Sequence, residues 1–414
     1  MEPAAVKTDA TVRPAEHLRP PPQKRKLRLT RTLVILLIVW AALDVIGRLG
    51  PVAWLHILPE HVATRRPGRF YPFIPNMSLV EDPWIGETAT TGNLPPDESR
   101  PPVKFSTDEA GFRLTPGASP NEDVDLILFA GSSFAYGGGL SDDQTFPAVF
   151  TRKTGMHMYN GGHFWWDPQN LPSLDYLLDH LKGPKSAVVM LCWEDADFLP
   201  SHLPGTQWPA AKLARPLLGA KRNAQLAGAW EYGRRFSTAV WNISPMEVLS
   251  IRAFKRISND KILPNRYKAA VVPRTLPNGQ DILYLDEEVN RVQNPPRDEV
   301  VKRHGDYFEN VAKHLAARGV QMYVILIPNR YTMYQPYTDP DVRVHERYLD
   351  RMQKELEGRG VNVFNSLPLL QAYASEDVAS GQLSFYREDH HWSPLGVERI
   401  ADGFAQYLKQ YGGK

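Results

Sequence analysis

Residues 125–137 read DLILFAGSSFAYG, a short apolar run that ends abruptly in Gly131, Ser132 and Ser133. A continuous apolar run of this length, bounded by a turn signal, is typical of a strand buried on both faces. We therefore expect Ser133 at a strand-to-helix turn, where a side chain is exposed and backbone N–H groups converge. That position suits a nucleophile, although a tight turn of small residues explains the same pattern. No Walker lysine follows, and the glycines at 137–139 do not match a dinucleotide fingerprint.

Similar apolar runs recur at residues 186–192, 320–327 and 361–364, with helical periodicity between them. Residues 300–318, for example, have a helical pattern that stops at Gly319, just before the next apolar run. Repeated strand and helix units with fully apolar strands predict an α/β fold. We expect a three-layer α/β/α domain of the flavodoxin-like type, with a mostly parallel sheet and a site at the carboxyl ends of its strands.

The N-terminal part of the chain predicts a membrane anchor. Residues 1–31 are rich in proline and basic residues and are expected to be a disordered cytoplasmic tail. The apolar stretch at 32–49, interrupted by Asp44, predicts one transmembrane helix, with a cleaved signal peptide as the alternative. The excess of Lys and Arg before this stretch places everything beyond it on the outer side of the cytoplasmic membrane, which is the periplasm in a bacterium.

Residues 50–104 are expected to be an irregular linker and residues 105–414 a catalytic domain. The interval 199–296 breaks the strand and helix alternation and is interpreted as an insertion that could cap the site. The formal net charge of +2 gives no basic surface for nucleic acid. The single cysteine, Cys192, excludes an intrachain disulfide and a cysteine-based zinc site, and its apolar neighbours predict that it is buried.

A second chemical motif lies near the C-terminus, where residues 385–396 read FYREDHHWSPLG. A serine hydroxyl needs a base to become a nucleophile, and that base needs a group that orients it. Asp389 and His391 could supply both from one loop. A solvated polar loop or an Asp/His metal site are the alternatives, but no further ligand cluster lies nearby in sequence.

Taken together, the two motifs resemble the SGNH (GDSL-like) hydrolase superfamily. Residues 131–134 match its Gly-x-Ser-Phe block, residues 108–113 (DEAGFR) are similar to its Asn-x-x-Gly-Phe-Arg element, and residues 159–162 (YNGG) look like its second block. The resemblance implies a triad of Ser133, Asp389 and His391, and an oxyanion hole formed by the amides of Ser133 and Gly162. It implies no cofactor and no metal.

The third block of the family is where this sequence departs from the pattern. Residues 193–198 read WEDADF, so that Ala196 stands where the family has the oxyanion asparagine. Losing one such donor typically costs about 10² to 10³ in turnover. Either Asn160 or a residue of the insertion compensates, or activity is low, or the catalytic role has lapsed.

Two features are similar to the alginate O-acetyltransferase branch of the superfamily. The sequence DHHW at 389–392 looks like its Asp-x-His-Trp signature, and residues 328–334 are similar to its Pro-x-Lys-x-x-x-Tyr stretch. The motif order differs, because here the Asp-His block comes last, as in ordinary SGNH esterases. The usual family register would instead make Glu388 the triad acid.

These resemblances imply a membrane-anchored serine esterase or O-acyltransferase that acts on O-acetyl groups of an envelope or secreted polysaccharide. Aromatic residues at 163–166 (HFWW) could stack on sugar rings, or could pack in the core. Expected partners are the polysaccharide or another acyl ester, the membrane and envelope biosynthesis proteins, but not nucleic acid. The alternatives are a non-catalytic SGNH-fold subunit of a polysaccharide assembly and a lipid-directed esterase.

Overall fold

The computed structural model describes residues 23–49, 73, 75–81, 86, 88, 100–162, 171–183, 185–194, 246, 271–342 and 347–411. Its centre is a five-stranded sheet in the order β4-β3-β5-β8-β9, in which every neighbouring pair is parallel. The strands are β3 Leu126–Phe129, β4 Met158–Gly161, β5 Ala187–Trp193, β8 Gln321–Ile327 and β9 Asn362–Asn365. The predicted parallel sheet is thus confirmed, and each of the four predicted apolar runs forms one of its strands.

The strand order locates a crevice at the carboxyl edge of the sheet. Numbered along the chain, the five strands follow the order 2-1-3-4-5, which is the flavodoxin-like order. The direction of winding reverses beside β3, since β4 lies on one side of it and β5 on the other. Ligands of such sheets bind where the order reverses, and Ser133 follows β3 by four residues.

Helices pack against this sheet in two groups. In one group, α10 (Pro394–Tyr411) packs Phe404 and Tyr407 against Tyr323 of β8 and Phe364 of β9. In the other, α6 (Asp298–Ala316) and α8 (Tyr348–Gly358) pack on each other, α6 also packs against β8, and α8 packs against β8 and β9. The helices are α1 Gln23–Leu49, α2 Ser132–Tyr136, α3 Phe146–Thr154, α4 Leu171–His180, α5 Asp286–Gln293, α6 Asp298–Ala316, α7 Arg330–Thr338, α8 Tyr348–Gly358, α9 Leu367–Ser380 and α10 Pro394–Tyr411.

Two small antiparallel sheets accompany the central one. Strand β1 Ser78–Glu81 lies inside the stretch 50–104 predicted to be an irregular linker, and it pairs with β2 Val103–Ser106, which crosses the end of that stretch. Strand β6 Val271–Thr275 pairs with β7 Asp281–Leu285 as a hairpin inside the predicted insertion. The β7 amide of Leu283 donates to the carbonyl of Arg387, so this end of the interval is built into the domain rather than laid over it. Most of the remaining interval lies outside the described residues.

The predicted transmembrane helix over 32–49 is not supported. The residues do form a helix, but α1 begins earlier, at Gln23, inside the stretch expected to be disordered. Its uninterrupted apolar part runs only from residue 33 to residue 43, before Asp44. Among the residues described, no helix is both long enough and apolar enough to cross a membrane.

Cys192 is fully buried in β5, as its neighbours predict. Burial in the apolar core raises the pKa of its thiol far above the ordinary value, because the thiolate would lose its hydration there. The side chain therefore acts as a small apolar group.

Candidate active site

Ser133 lies on a constrained turn directly after β3. Ala130 and Gly131 both have positive φ, at 61° and 126°. A side chain at Gly131 would place its Cβ only 2.6 Å from Cβ of Leu191 in β5, so only glycine fits this close approach. The turn enters the short helix α2, and the amides of Gly137 and Gly138 both donate to the carbonyl of Ser133. The turn that carries Ser133 is therefore held by the close approach of Gly131 to β5 before it and by hydrogen bonds to the carbonyl of Ser133 after it.

The second motif forms a tight loop over the carboxyl edge of the sheet. Phe385 and Trp392 pair as an isolated antiparallel bridge that closes the base of the loop, and the amide of Tyr386 donates to the carbonyl of His391. Trp392 is buried with its ring 5.2 Å from that of Phe134, which follows the predicted nucleophile. This packing brings the two ends of the domain together. We call residues 386–391 the base loop.

Within the base loop, Asp389 orients His391. Oδ1 of Asp389 lies 2.5 Å from Nδ1 of His391 and also accepts the backbone N–H of His391 at 2.8 Å. An ionised carboxylate only accepts, so Nδ1 carries the proton and Nε2 is left as an acceptor. Nε2 lies 2.5 Å from Oγ of Ser133. Residues Asp389 and His391 are 1% and 3% exposed, whereas Ser133 is partly exposed.

Glu388 does not take part in this arrangement. Its carboxylate forms an ion pair with Arg100, whose guanidinium also stacks on the ring of Tyr386 at 3.8 Å. Burial raises the pKa of Glu388, and the positive charge of Arg100 opposes that rise. Of the two registers left open by the sequence, the structure therefore places Asp389, and not Glu388, against His391.

His390 packs behind His391, with ring centroids 4.1 Å apart. Burial holds the pKa of His390 well below its ordinary value, so the ring stays neutral. Ligand atoms of Asp389, His390 and His391 lie within 4.8 Å of one another, a separation that a metal ion could bridge. Both ring nitrogens of His391 are already engaged, by Asp389 and by Ser133, so a metal would have to displace one of these contacts. A metal-free site remains our prediction.

The predicted oxyanion donor Gly162 is held close to the nucleophile helix. A Cβ on Gly162 would lie 2.7 Å from the backbone nitrogen of Tyr136 in α2. Its N–H donates at 3.0 Å to Oδ1 of Asn160, which is fully buried and whose Nδ2 has no hydrogen-bond partner among the residues that the structure describes. The oxyanion role of Gly162 stays a prediction and requires this amide to be shared with, or released from, Asn160. Ala196 and the aromatic residues at 163–166 lie outside the described residues.

The structure adds three residues to the site that the sequence did not assign. Gly138 leaves room for the triad, because a Cβ there would lie 3.1 Å from Nε2 of His391. Arg330 contacts the base loop from the core side. Glu194, at the end of β5, accepts the amide of Asn329 and the hydroxyl of Thr332. The stretch at 328–334 was flagged as a motif, but neither its spacing nor its composition indicates which atoms it contacts.

A comparison with protein families finds that residues 279–413 match the SGNH hydrolase-like domain of the acetyltransferase AlgX. The matched range contains Asp389, His391 and Arg330 and starts within the predicted insertion, whereas Ser133 lies outside it. No curated protein matches the chain significantly.

Two solved structures are similar over much of their length. One is assigned by its description to the G-D-S-L family of lipolytic proteins, from Desulfitobacterium hafniense DCB-2, with 12% identity, 69% of this chain and 99% of that chain covered, and a TM-score of 0.31. The other is described as a GDSL-like lipase from Bacteroides ovatus ATCC 8483. It is 10% identical, the match covers 86% of this chain and 77% of the lipase, and the TM-score is 0.30. The family match over residues 279–413 confirms the resemblance to the SGNH superfamily, with AlgX-like features, that the motifs indicate.

Proposed function

We propose that the protein is a serine esterase or O-acyltransferase that works through an acyl-enzyme on O-acetyl groups of a polysaccharide. The observation that supports this most directly is the continuous Asp389–His391–Ser133 arrangement, with both side-chain contacts at 2.5 Å. Nucleophile and base within hydrogen-bonding reach, with the base oriented by a third group, is the geometric requirement for serine catalysis.

In the proposed mechanism, Nε2 of His391 takes the hydroxyl proton of Ser133 while Oγ attacks the acyl carbonyl. Asp389 stabilises the imidazolium that forms and keeps its proton on Nδ1. The negative oxygen would be stabilised by the amides of Ser133 and Gly162. Collapse of the intermediate releases the alcohol, which takes the proton from His391. Water then regenerates Ser133 in an esterase, and a sugar hydroxyl does so in a transferase.

Support for acetyl chemistry comes from the family match, since AlgX is described as an acetyltransferase. The polysaccharide is proposed from the resemblance of the sequence motifs to the alginate O-acetyltransferase branch. Location on the outer side of the cytoplasmic membrane, and partnership with envelope biosynthesis proteins, are proposed from the basic N-terminal stretch and from the resemblance to alginate O-acetylation proteins. The same triad serves hydrolysis and transfer, so the acceptor decides between them.

The function is tested with p-nitrophenyl acetate and an acetylated polysaccharide as donors, comparing the full chain with Ser133→Ala and His391→Ala. Release of acetate, or transfer of acetyl groups to an added unacetylated polysaccharide, is expected for the wild type and not for either variant. Equal rates in all three proteins would contradict the assignment.

A second candidate is a non-catalytic subunit of a polysaccharide assembly, and it is favoured by Ala196 in the position of the family's oxyanion asparagine. It predicts a folded wild type that binds polysaccharide but neither releases nor transfers acetyl groups. The intact triad geometry supports the catalytic reading over this one.

A further inference from the structure

A buried arginine, Arg330, contacts the base loop from its core side. Arg330 is the first residue of α7 and is fully buried, although it carries a permanent charge. Asn329 starts this helix, because its side-chain oxygen accepts the amide of Thr332 at 2.6 Å. The helix start thus directs residue 330 toward the carboxyl edge of the sheet, where the base loop lies.

One nitrogen of the Arg330 guanidinium contacts three carbonyl oxygens of the base loop. Nη1 donates to the carbonyls of Tyr386 at 2.9 Å, Arg387 at 3.1 Å and Asp389 at 2.6 Å. Carbonyl oxygens that converge on one point repel each other. Without a cation to hold them, the loop would move to a conformation that separates these carbonyls. The shortest contact is made by Asp389, the residue that orients His391.

The other end of the guanidinium is anchored in the core. Nη2 donates to the carbonyl of Leu283 in β7 and lies 3.0 Å from Oε2 of Glu288 in α5. Glu288 is itself fully buried, and burial raises its pKa while the charge of Arg330 opposes the rise. Arg330 therefore bridges the hairpin, α5 and the base loop with a rigid, planar group.

We propose that Arg330 is a positioning residue for the triad, which holds the carbonyls of the base loop so that Asp389 and His391 stay aligned with Ser133. The inference rests on the proposed function for its catalytic consequence, but the alignment itself is a property of the loop. Lysine cannot replace this contact set, because a single ammonium on a flexible stem cannot reach the loop carbonyls, Leu283 and Glu288 together.

Arg113 is the matched control. It is equally buried, pairs with Asp142 at 3.1 Å, and donates to the carbonyls of Lys104 and Leu140. None of these partners belongs to the base loop. Replacing Arg113 therefore removes a buried cation and its hydrogen bonds to carbonyls, as replacing Arg330 does, but it leaves the contacts of Asp389 unchanged.

The test compares the wild type with Arg330→Met, Arg330→Lys and Arg113→Met in the full chain. Two quantities are measured: the low-field proton resonance of a histidine Nδ1–H held by a carboxylate, and the rate of labelling by a fluorophosphonate. We expect both Arg330 variants to lose the resonance and to be labelled about 10²-fold more slowly than the wild type, as a misplacement near 1 Å would produce. Arg113→Met should keep the resonance and the labelling rate even if its melting temperature falls.

The two readouts separate the two claims. A resonance that is lost in the Arg330 variants, with no labelling even of the wild type, would support the positioning role and contradict the proposed function. A resonance that survives in Arg330→Met, or that disappears equally in Arg113→Met, would overturn the positioning role. If Arg330→Met does not fold, the same comparison is made with Arg330→Lys, which keeps the buried charge.

Discussion

Asp389 and Glu388 are neighbours in sequence but face different partners. Asp389 lies against His391, while Glu388 is paired with Arg100 on the outer side of the loop. The choice between them could not be made from the sequence, since both carboxylates have plausible spacing to the histidine. It depends on where Arg100 is placed by the fold.

This difference predicts unequal effects of two isosteric substitutions. Asp389→Asn should reduce the labelling rate of Ser133 by about 10⁴, because an amide can hold the wrong tautomer of the histidine. Glu388→Gln keeps the size of the side chain and should leave the rate near that of the wild type. The labelling rate with a fluorophosphonate measures both. A larger loss in Glu388→Gln than in Asp389→Asn would reverse our assignment of the orienting acid.

Gly138 gives a second prediction at the scale of one residue. Its missing Cβ would lie 3.1 Å from Nε2 of His391 and 3.3 Å from Cβ of Ser133. Gly138→Ala should therefore force the serine and the imidazole apart and slow labelling by about 10²-fold, with little change in folding. Gly358→Ala is the control, because a Cβ there meets nothing within 4 Å. Unchanged labelling in Gly138→Ala would mean that the triad is looser than described.

At the scale of the elements, Glu194 ties the end of β5 to the start of α7. Its Oε2 accepts the amide of Asn329 at 3.0 Å and the hydroxyl of Thr332 at 2.8 Å. Burial raises the pKa of this carboxyl from 4.5 to about 7, although the two hydrogen bonds oppose the rise. Between pH 4.5 and about 7, the carboxyl of Glu194 therefore keeps its proton in the folded protein, whereas the same carboxyl in the unfolded chain has lost it.

It follows that the contribution of Glu194 to stability is fully present below pH 4.5 and is lost as the pH rises through about 7. Glu194→Gln should remove this part of the pH dependence and stabilise the protein at pH 8 by up to about 3 kcal/mol, at about 1.4 kcal/mol for each pKa unit. Urea unfolding at several pH values measures it, with the exposed Glu376→Gln as control. Equal pH profiles of wild type and Glu194→Gln would refute the raised pKa.

The elements also show which parts of the fold the sequence could predict. The runs at 126–130, 187–192 and 322–327 are continuously apolar because their strands are buried on both faces, and this pattern is visible without a structure. Strand β4 has only Met158 and Tyr159 before Asn160, too short an apolar run to be recognised. The β6–β7 hairpin contains Pro273 and exposed polar residues, which resemble an irregular segment.

The catalytic residues of the candidate site could be predicted from the sequence, but the residue that holds the base loop in place could not. Ser133, Asp389 and His391 stand in motifs that resemble those of a known superfamily, and the structure brings the three side chains together. Arg330 could not be assigned in the same way, because its partners in the base loop are backbone carbonyls, which any sequence would supply. Contacts between a side chain and a distant backbone leave no signal in residue identity.

At the scale of the whole molecule, the two ends of the domain meet where the strand order reverses. Ser133 follows β3, and the base loop precedes α10, which packs Phe404 against Phe146 and Phe150 of α3. Nucleophile and base are thus contributed by segments more than 250 residues apart, as the separation of 258 between Ser133 and His391 shows. The triad therefore requires that these distant segments pack against each other.

This arrangement predicts that triad chemistry and global folding are lost together. In a urea titration of the wild type, the labelling rate of Ser133 should fall along the same transition as the far-ultraviolet circular dichroism signal. A labelling rate that falls well before the dichroism signal would instead mean that the base loop opens as an independent unit, in conflict with its bridging by Arg330 to β7 and α5.

The most direct test of the central claim is to treat the full chain with a fluorophosphonate probe and to locate the adduct by mass spectrometry of the peptides. We expect one adduct, on the peptide that contains Ser133, and no labelling at this position in Ser133→Ala or His391→Ala. A well-folded wild type that takes up no probe, or one that is labelled equally in His391→Ala, would contradict it.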